Sequence, residues 1–231
     1  TDSSWMYTAL ALAENYKNNK QEQKAIETYD RVLETFPDNP EARQKRGALL
    51  YKKGDFAAAA QDLEFAVPEA KAPTADLLKI RAEAALKSGN PAKALDDLRR
   101  LRQTGREDLW INNKIQEARD TMTALQKRLD DIEKQAQVKP RDTEAQLRAA
   151  KTNASLGRHD KALTYANKAL QSNPKNAEAV NLKVETQLAK GDTVAAERTI
   201  KTAVQNGVNT KSVEKWRPVI DRLETSTGNK Q

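Results

Sequence analysis

The sequence lacks cysteine altogether and holds a single histidine, His159, among its 231 residues. Without cysteine the chain forms no disulfide bond, thiolate nucleophile or cysteine-ligated metal site. One histidine leaves almost no material for Ser-His or His-metal chemistry, and its place in the repeat described below predicts a packing or surface role. The eight glycines occur singly, so neither glycine-rich phosphate-binding motif can be written from them. We therefore predict that the protein is not an enzyme and binds no cofactor or metal.

Pairs of neighbouring carboxylates do not supply a catalytic site either. Asp96 and Asp97 are adjacent in sequence, as are Asp130 and Asp131. Adjacent side chains diverge by about 100° on a helix, so neither pair can share general acid and base work. We expect both pairs to be solvated surface groups.

Long apolar runs are also absent, and the mean hydropathy is −0.85. A membrane-spanning helix needs about 18 or more consecutive apolar residues, so we predict no membrane span. The first residue is Thr1 rather than methionine, which is compatible with a removed targeting segment. The lack of cysteine fits a bacterial cytoplasm or periplasm, and a role in the bacterial envelope is a working hypothesis.

Excess charge of one sign is concentrated in the last third of the chain, which holds six of the seven surplus positive charges. The sequence has 40 basic and 33 acidic residues, a net charge of +7. Residues 1–150 hold 26 basic and 25 acidic side chains, whereas 151–231 hold 14 and 8. The basic residues are spread singly, without the interleaved aromatic residues that stack on bases. This pattern favours a solvated helix surface. The alternative is that the region binds nucleic acid or another anionic polymer, in which case binding should weaken steeply as the salt concentration rises.

A 34-residue repeat organises most of the chain, with units that start at residues 6, 40, 75, 143 and 177. Small residues recur at the eighth and twentieth positions, for example Gly47 with Ala59 and Ala82 with Ala94. Such residues allow two helices to approach closely. Single glycines fall where a first helix must end and reverse, at Gly54, Gly89, Gly157 and Gly191.

These positions resemble the tetratricopeptide repeat family, whose unit is a helix-turn-helix of 34 residues. The resemblance implies an all-α protein, a right-handed α-solenoid of stacked helix pairs. It implies an N-terminal lobe over 6–107, made of three units at about 6–39, 40–73 and 75–108. It also implies a C-terminal pair of repeats over 143–210. Residues 211–224 keep an apolar pattern that predicts a capping helix, and 225–231 predict a disordered tail.

The middle of the chain, residues 108–140, departs from the repeat. It lacks the turn glycine and has Gln116 and Arg128 where small residues are expected. Apolar residues spaced alternately by three and four predict one helix over about 109–138, roughly 45 Å long. A degenerate hairpin broken near Thr123 is the alternative. The apolar seam packs either on its own chain or on a second copy, which would make an architectural homodimer. The candidate self-association residues are Ile115, Met122, Leu125, Leu129 and Ile132.

In the family that the sequence resembles, the first helix of each repeat lines a groove that binds peptides. The equivalent positions in the N-terminal lobe are Tyr7, Leu10, Glu14, Lys17, Gln44, Lys45, Tyr51, Lys52, Lys79 and Glu83. Those in the C-terminal pair are Arg148, Lys151, Asn181 and Glu185. Trp5 and Trp110 are expected to pack within the fold.

One subclass of the family holds the terminal carboxylate of a chaperone in a clamp of lysine, arginine and asparagine side chains. Here the clamp positions are occupied by Leu10, Glu14, Lys45, Asp76 and Ile80, so we predict no chaperone carboxylate clamp. The resemblance implies a non-enzymatic scaffold or adaptor that binds protein or peptide partners within a larger assembly.

Overall fold

The computed structural model describes residues 2–37, 39–66, 74–105, 108–213 and 216, and all regular structure in these residues is helical. The helices before the middle of the chain are α1 (Asp2–Asn18), α2 (Glu22–Thr35), α3 (Pro40–Lys53), α4 (Phe56–Glu64), α5 (Ala75–Lys87) and α6 (Pro91–Gln103). They are followed by α7 (Leu109–Val138), α8 (Thr143–Ser155), α9 (His159–Ser172), α10 (Ala177–Ala189), α11 (Thr193–Gln205) and α12 (Thr210–Val213). None of the described helices is both long enough and apolar enough to cross a membrane.

The chain divides into two compact units. The first comprises the described residues within Thr1–Gly89 and Ala94–Asn112, and the second those within Asn90–Lys93 and Asn113–Gln231. Helix α7 therefore belongs to the second unit from Asn113 onward.

Local sequence signals define the ends of the helices. Asn39 caps α3 by accepting a hydrogen bond from the amide of Ala42 at 2.8 Å, and Pro40 opens the helix. At the other end of α3, Gly54 adopts φ +92°, a conformation that costs little only for glycine. The four turn glycines predicted from the repeat all have positive φ, namely Gly54, Gly89, Gly157 and Gly191.

The core of the first unit is built from small and branched side chains between successive helices. Residues of α1, α2 and α3 form one buried cluster that includes Ala13, Ala25, Tyr29 and Val32. Gly47 lies where α3 meets α4. A Cβ atom at this position would be 2.8 Å from Cγ of Leu63, so only glycine fits without a shift of its neighbours. The predicted close approach of the two helices is thus made by Gly47 against Leu63.

Ion pairs with a buried aspartate join the two helices of the second and third repeats. Arg46 donates to both carboxylate oxygens of Asp62, at 2.6 and 2.7 Å, and also to Asp30 at 2.7 Å. Arg81 makes the corresponding two-pronged contact with Asp97, with Nε to Oδ2 at 2.7 Å. Both arginines occupy the seventh position of their repeat and both aspartates the twenty-third. The second and third repeats therefore have the same arginine–aspartate pair at equivalent positions.

Asp97 corrects an expectation from the sequence. It was predicted to be solvated together with Asp96, but it is only 4% exposed. Asp96 is exposed, as are Asp130 and Asp131. The difference arises because α6 turns Asp97 toward Arg81 of α5, and a buried carboxylate needs such a partner.

In the middle of the chain the first of the two alternatives is confirmed, because α7 is one continuous helix of 30 residues. Its C-terminal part packs on α8 and α9 through Ile132 and Ala136. The buried amide of Gln146 donates to the backbone oxygen of Ala136 at 2.6 Å. Glu133 of α7 accepts hydrogen bonds from Asn153 at 3.0 Å and from Lys161 at 3.2 Å. Helix α7 is therefore fixed to the second unit by both apolar and polar contacts.

The predicted capping helix over 211–224 lies almost wholly outside the described residues, as does the predicted tail over 225–231. Within that stretch the structure describes the end of α12 and Trp216, whose ring is 2% exposed.

Candidate peptide-binding surfaces

The first helices of the first unit lie side by side and present the predicted groove residues. Lys45 of α3 forms an ion pair with Glu14 of α1 at 3.6 Å. Tyr51 of α3 donates a hydrogen bond to Glu83 of α5 at 2.5 Å. Because these two contacts link the three helices in turn, the exposed predicted residues of α1, α3 and α5 share one surface, which we call the first-helix face.

Glu14 is the centre of the polar contacts at the start of this face. It forms ion pairs with Lys17 and Lys45 and accepts a hydrogen bond from the hydroxyl of Tyr29 at 3.3 Å. The Lys17 hydrogen bond lowers the pKa of Glu14 against the opposing effect of burial, and Lys45 lowers it further. Burial and the Glu14 charge together raise the pKa of Tyr29 above its ordinary value. Glu14 is thus a negative group held in place by two cations.

Aromatic rings and lysines alternate at the other end of the first-helix face. The ammonium group of Lys87 lies 4.4 Å from the ring centre of Phe56 and 5.1 Å from that of Tyr51. Lys79 lies 4.3 Å from the ring centre of Trp110. Burial, followed by the contact with Glu83, raises the pKa of Tyr51 to about 12. These cation-π contacts favour the observed positions of the two ammonium groups over the rings.

The other predicted residues of this face differ in accessibility. Tyr7 is 67% exposed and Gln44 is also exposed, so both can contact a ligand. Leu10 is only 7% exposed and packs in the core of the first unit, which leaves it no binding surface. Lys52 reaches away to α2, where it forms an ion pair with Glu22.

The two tryptophans that were expected to pack behave differently from each other. Trp110 is half-buried beneath Lys79. Trp5 stacks on Phe36 with ring centres 6.4 Å apart, yet it remains 44% exposed. The contribution of Trp110 to the surface depends on how α5 meets its neighbours, and no sequence motif marks it.

In the second unit, the corresponding surface is partly covered by the chain itself. Arg148 is exposed, and Lys151 of α8 forms an ion pair with Glu178 of α10. Asn181 accepts a hydrogen bond at 2.8 Å from the indole nitrogen of the buried Trp216. Glu185, one turn further along α10, is half-buried. Trp216 therefore occupies part of the surface that the sequence predicts to bind peptides.

The five candidate self-association residues are largely used within the chain. Ile115 and Leu129 are buried, and Ile132 packs on the α8 and α9 cluster. Met122 and Leu125 are half-buried. Self-association through this seam stays a prediction, with less than half of the seam accessible to a second copy.

Several of the basic residues in the last third have acidic partners. Lys161 pairs with Glu133, Lys190 with Asp160 and Lys201 with Glu197. This interspersed pairing lowers the positive field that a polyanion would meet.

Three matches identify the family. Sequence models of the tetratricopeptide repeat match residues 12–83, 107–177 and 153–213. The chain belongs to the tetratricopeptide repeat family. The three matches together include most of the described helices, α7 among them.

Relatives with the same repeat are distant. Stress-induced-phosphoprotein 1 of Caenorhabditis elegans is 26% identical over 180 residues, which are 74% of this chain and 54% of that protein, so the chain spans about half the length of this relative. A tetratricopeptide repeat protein from Parabacteroides merdae is 17% identical, with 97% of this chain and 84% of that chain covered and a TM-score of 0.42. The TPR2AB domain of yeast Sti1 in complex with pHSP90 is 19% identical, with 98% and 99% covered and a TM-score of 0.37. These likenesses to solved structures concern the fold alone.

Tetratricopeptide repeat proteins are in general interaction scaffolds rather than enzymes. In the part of the chain that the structure describes, no three His, Cys, Asp or Glu side chains are grouped so that they could hold a metal ion. His159 is half-buried at the start of α9, and burial lowers the pKa of its imidazole. A packing or surface role for His159 stays the prediction from the repeat.

Proposed function

We propose that the protein is a non-enzymatic adaptor that binds a segment of a partner protein across the first-helix face of its first unit. The observation that carries this proposal is the alignment of three consecutive first helices by the Lys45–Glu14 and Tyr51–Glu83 contacts. A surface that is fixed before binding loses little conformational entropy when a ligand is ordered on it.

Accessibility favours the first unit over the second as the peptide site. Tyr7 and Gln44 are exposed on the first unit and leave room for an incoming chain. In the second unit Trp216 is bonded to Asn181, so a ligand there would have to displace part of the same chain. Displacement of a buried tryptophan costs apolar contacts that a ligand would need to replace.

The chemistry of the face indicates a peptide of mixed charge with an aromatic or aliphatic anchor. Tyr7 offers a large amphipathic contact surface, while Glu14 and Lys79 offer opposite charges at separate points. A terminal carboxylate would meet the negative charge of Glu14, which is partly neutralised by Lys17 and Lys45. We therefore propose internal peptide segments, rather than chaperone C-terminal carboxylates, as ligands.

Site-specific photo-crosslinking tests the location of the face. Benzoylphenylalanine replaces Tyr7 or Gln44 on the first-helix face, and Arg31 or Arg99 on exposed parts of the second helices α2 and α6. We expect discrete adducts with the same partner from the first two positions and none from the controls. Adducts of equal yield from both sets would contradict the proposal, because they would indicate contact without a preferred face.

A charge reversal tests whether the face recognises its ligand. Glu14→Lys removes the carboxylate that orders Lys17 and Lys45, and we expect the adduct yield at Gln44 to fall by about fivefold or more. Glu34→Lys makes the same charge change at an exposed site of α2 and should leave the yield unchanged. An equal fall in both variants would point to a general charge effect.

A further inference from the structure

A cleft of about 540 Å³ opens in the second unit between α9, α10 and α11. Its apolar wall includes Leu170 and Val180, and its cationic groups are Lys183 and Arg198. The remaining lining side chains are apolar, hydroxyl or amide groups, and none of the lining residues is a carboxylate. We call this space the outer cleft.

The outer cleft lies on a different side of α10 from the predicted peptide groove. Lys183 is two residues from Asn181, which corresponds to about 200° around a helix. Asn181 accepts a hydrogen bond from Trp216 and does not line the cleft. The cleft is therefore a separate site from the predicted peptide groove.

Comparison of the repeats shows what Lys183 lacks. It occupies the seventh position of the fifth repeat, where the second and third repeats have Arg46 and Arg81. Each of those arginines is held by an aspartate at the twenty-third position of its own repeat. In the fifth repeat that position is Thr199. The cation is retained and its internal carboxylate is replaced by a neutral hydroxyl.

Thr199 cannot compensate for the missing charge. Its hydroxyl donates a hydrogen bond to the side-chain oxygen of Gln187 at 2.9 Å, at the base of the cleft. Among the residues that the structure describes, the Lys183 and Arg198 side chains have no ion-pair or hydrogen-bond partner, and the one hydrogen bond at Arg198 uses its backbone oxygen. Burial without a counterion lowers the pKa of Lys183, since a partly desolvated ammonium group is destabilised. A carboxylate brought from outside would remove this penalty.

We propose that the outer cleft binds an acidic segment of a partner protein, with a carboxylate placed between Lys183 and Arg198 and an adjacent apolar side chain against Leu170 and Val180. The external carboxylate takes the place that Asp62 and Asp97 take in the earlier repeats. The volume of the cleft accommodates a few side chains of an extended segment.

The probe for this proposal is a fluorescein-labelled peptide in which glutamate and leucine alternate, with a matched peptide in which glutamine replaces glutamate. Binding to the full chain is measured by fluorescence anisotropy and located by amide NMR shifts. We expect the glutamate peptide to bind at least about tenfold more tightly than the glutamine peptide, because a partly buried charge-assisted hydrogen bond contributes on this scale. The largest shifts should lie in α9, α10 and α11.

Two sets of variants test the named residues. The double change Lys183→Gln and Arg198→Gln should weaken binding by about tenfold or more. The double change Lys127→Gln and Arg128→Gln removes the same charge from exposed sites of α7 and should have no effect. Equal weakening by both doubles would overturn the proposal.

Thr199→Asp tests the same site without the loss of a cation. It supplies the carboxylate that the second and third repeats have, so it should pair with Lys183 and abolish peptide binding. Thr199→Asn is the neutral control of the same size and should retain binding. Retained binding in Thr199→Asp, shifts that map to the first-helix face, or no detectable binding of the glutamate peptide to the unaltered chain would each overturn the inference.

Discussion

Asp97 provides a demanding test of how the first unit is stabilised. The change Asp97→Asn removes the negative charge and nearly preserves the shape of the side chain. Arg81 would then keep its charge while only 11% of its side chain is exposed. Removal of one partner from a buried ion pair costs about 3 to 5 kcal/mol, because the remaining charge is left without compensation. We expect a loss of unfolding free energy in this range.

The neighbouring carboxylate supplies the control. Asp96→Asn alters the same chemical group one residue earlier on α6, at an exposed position, and should change the unfolding free energy by no more than about 0.5 kcal/mol. Replacement of both buried partners, as Arg81→Met with Asp97→Leu, should recover most of the loss, since apolar residues of similar volume need no counterion.

Urea unfolding followed by circular dichroism measures these differences, and hydrogen exchange of the α5 and α6 amides locates them. A loss below about 1 kcal/mol for Asp97→Asn, or an equal loss for Asp96→Asn, would refute the reasoning. A small loss would mean that Arg81 finds another partner or reaches water when Asp97 is neutral. Equal losses would mean that burial does not distinguish the two carboxylates.

Three further predictions concern single residues. Gly47→Ala should lower the unfolding temperature, because overpacking against Leu63 costs about 1 to 3 kcal/mol. This cost outweighs the roughly 1 kcal/mol by which alanine stabilises a helix relative to glycine. An unchanged unfolding temperature would show that Leu63 can move aside. Leu129→Ala should lower the unfolding free energy by about 2 to 5 kcal/mol, and by the same amount at every protein concentration. If the unfolding temperature instead depended on protein concentration, and the variant had half the mass of the unaltered protein in light scattering, the seam would join two copies. The Lys17 hydrogen bond lowers the pKa of Glu14 from its ordinary 4.5, so ionised Glu14 stabilises the fold fully above pH 4.5 and this contribution is lost as the pH falls through the lower pKa of the folded state. Glu14→Gln should therefore lose less unfolding free energy than the unaltered chain between neutral and acid pH. Equal losses in the two proteins would contradict this assignment.

Periodic features were predictable from the sequence because they depend on local chemistry. Gly54 predicts the positive φ at the turn after α3, and Asn39 followed by Pro40 predicts the start of that helix. The spacing of apolar residues in α7 predicted a long helix over the bounds at which it occurs. In each case the signal lies within the sequence of a single helix or a single turn.

The partners of the polar residues were not predictable in the same way. Asp96 and Asp97 are the same residue type in neighbouring positions, and only the packing of α6 against α5 buries one of them. Leu10 satisfies the groove pattern, yet the meeting of α1 with α2 places it in the core. Asn181 fits the same pattern but is bonded to Trp216, 35 residues further along the chain.

The sequence by itself determined the family and the helix pairs, since these depend on the 34-residue repeat and on helical periods of three to four residues. The tertiary structure decided which surfaces are open. It set Glu14, Lys45, Tyr51 and Glu83 in contact across three helices, and it left Lys183 beside a cleft without a carboxylate. Burial and pairing of charges depend on where distant helices meet, and a pattern within one helix does not specify that distance.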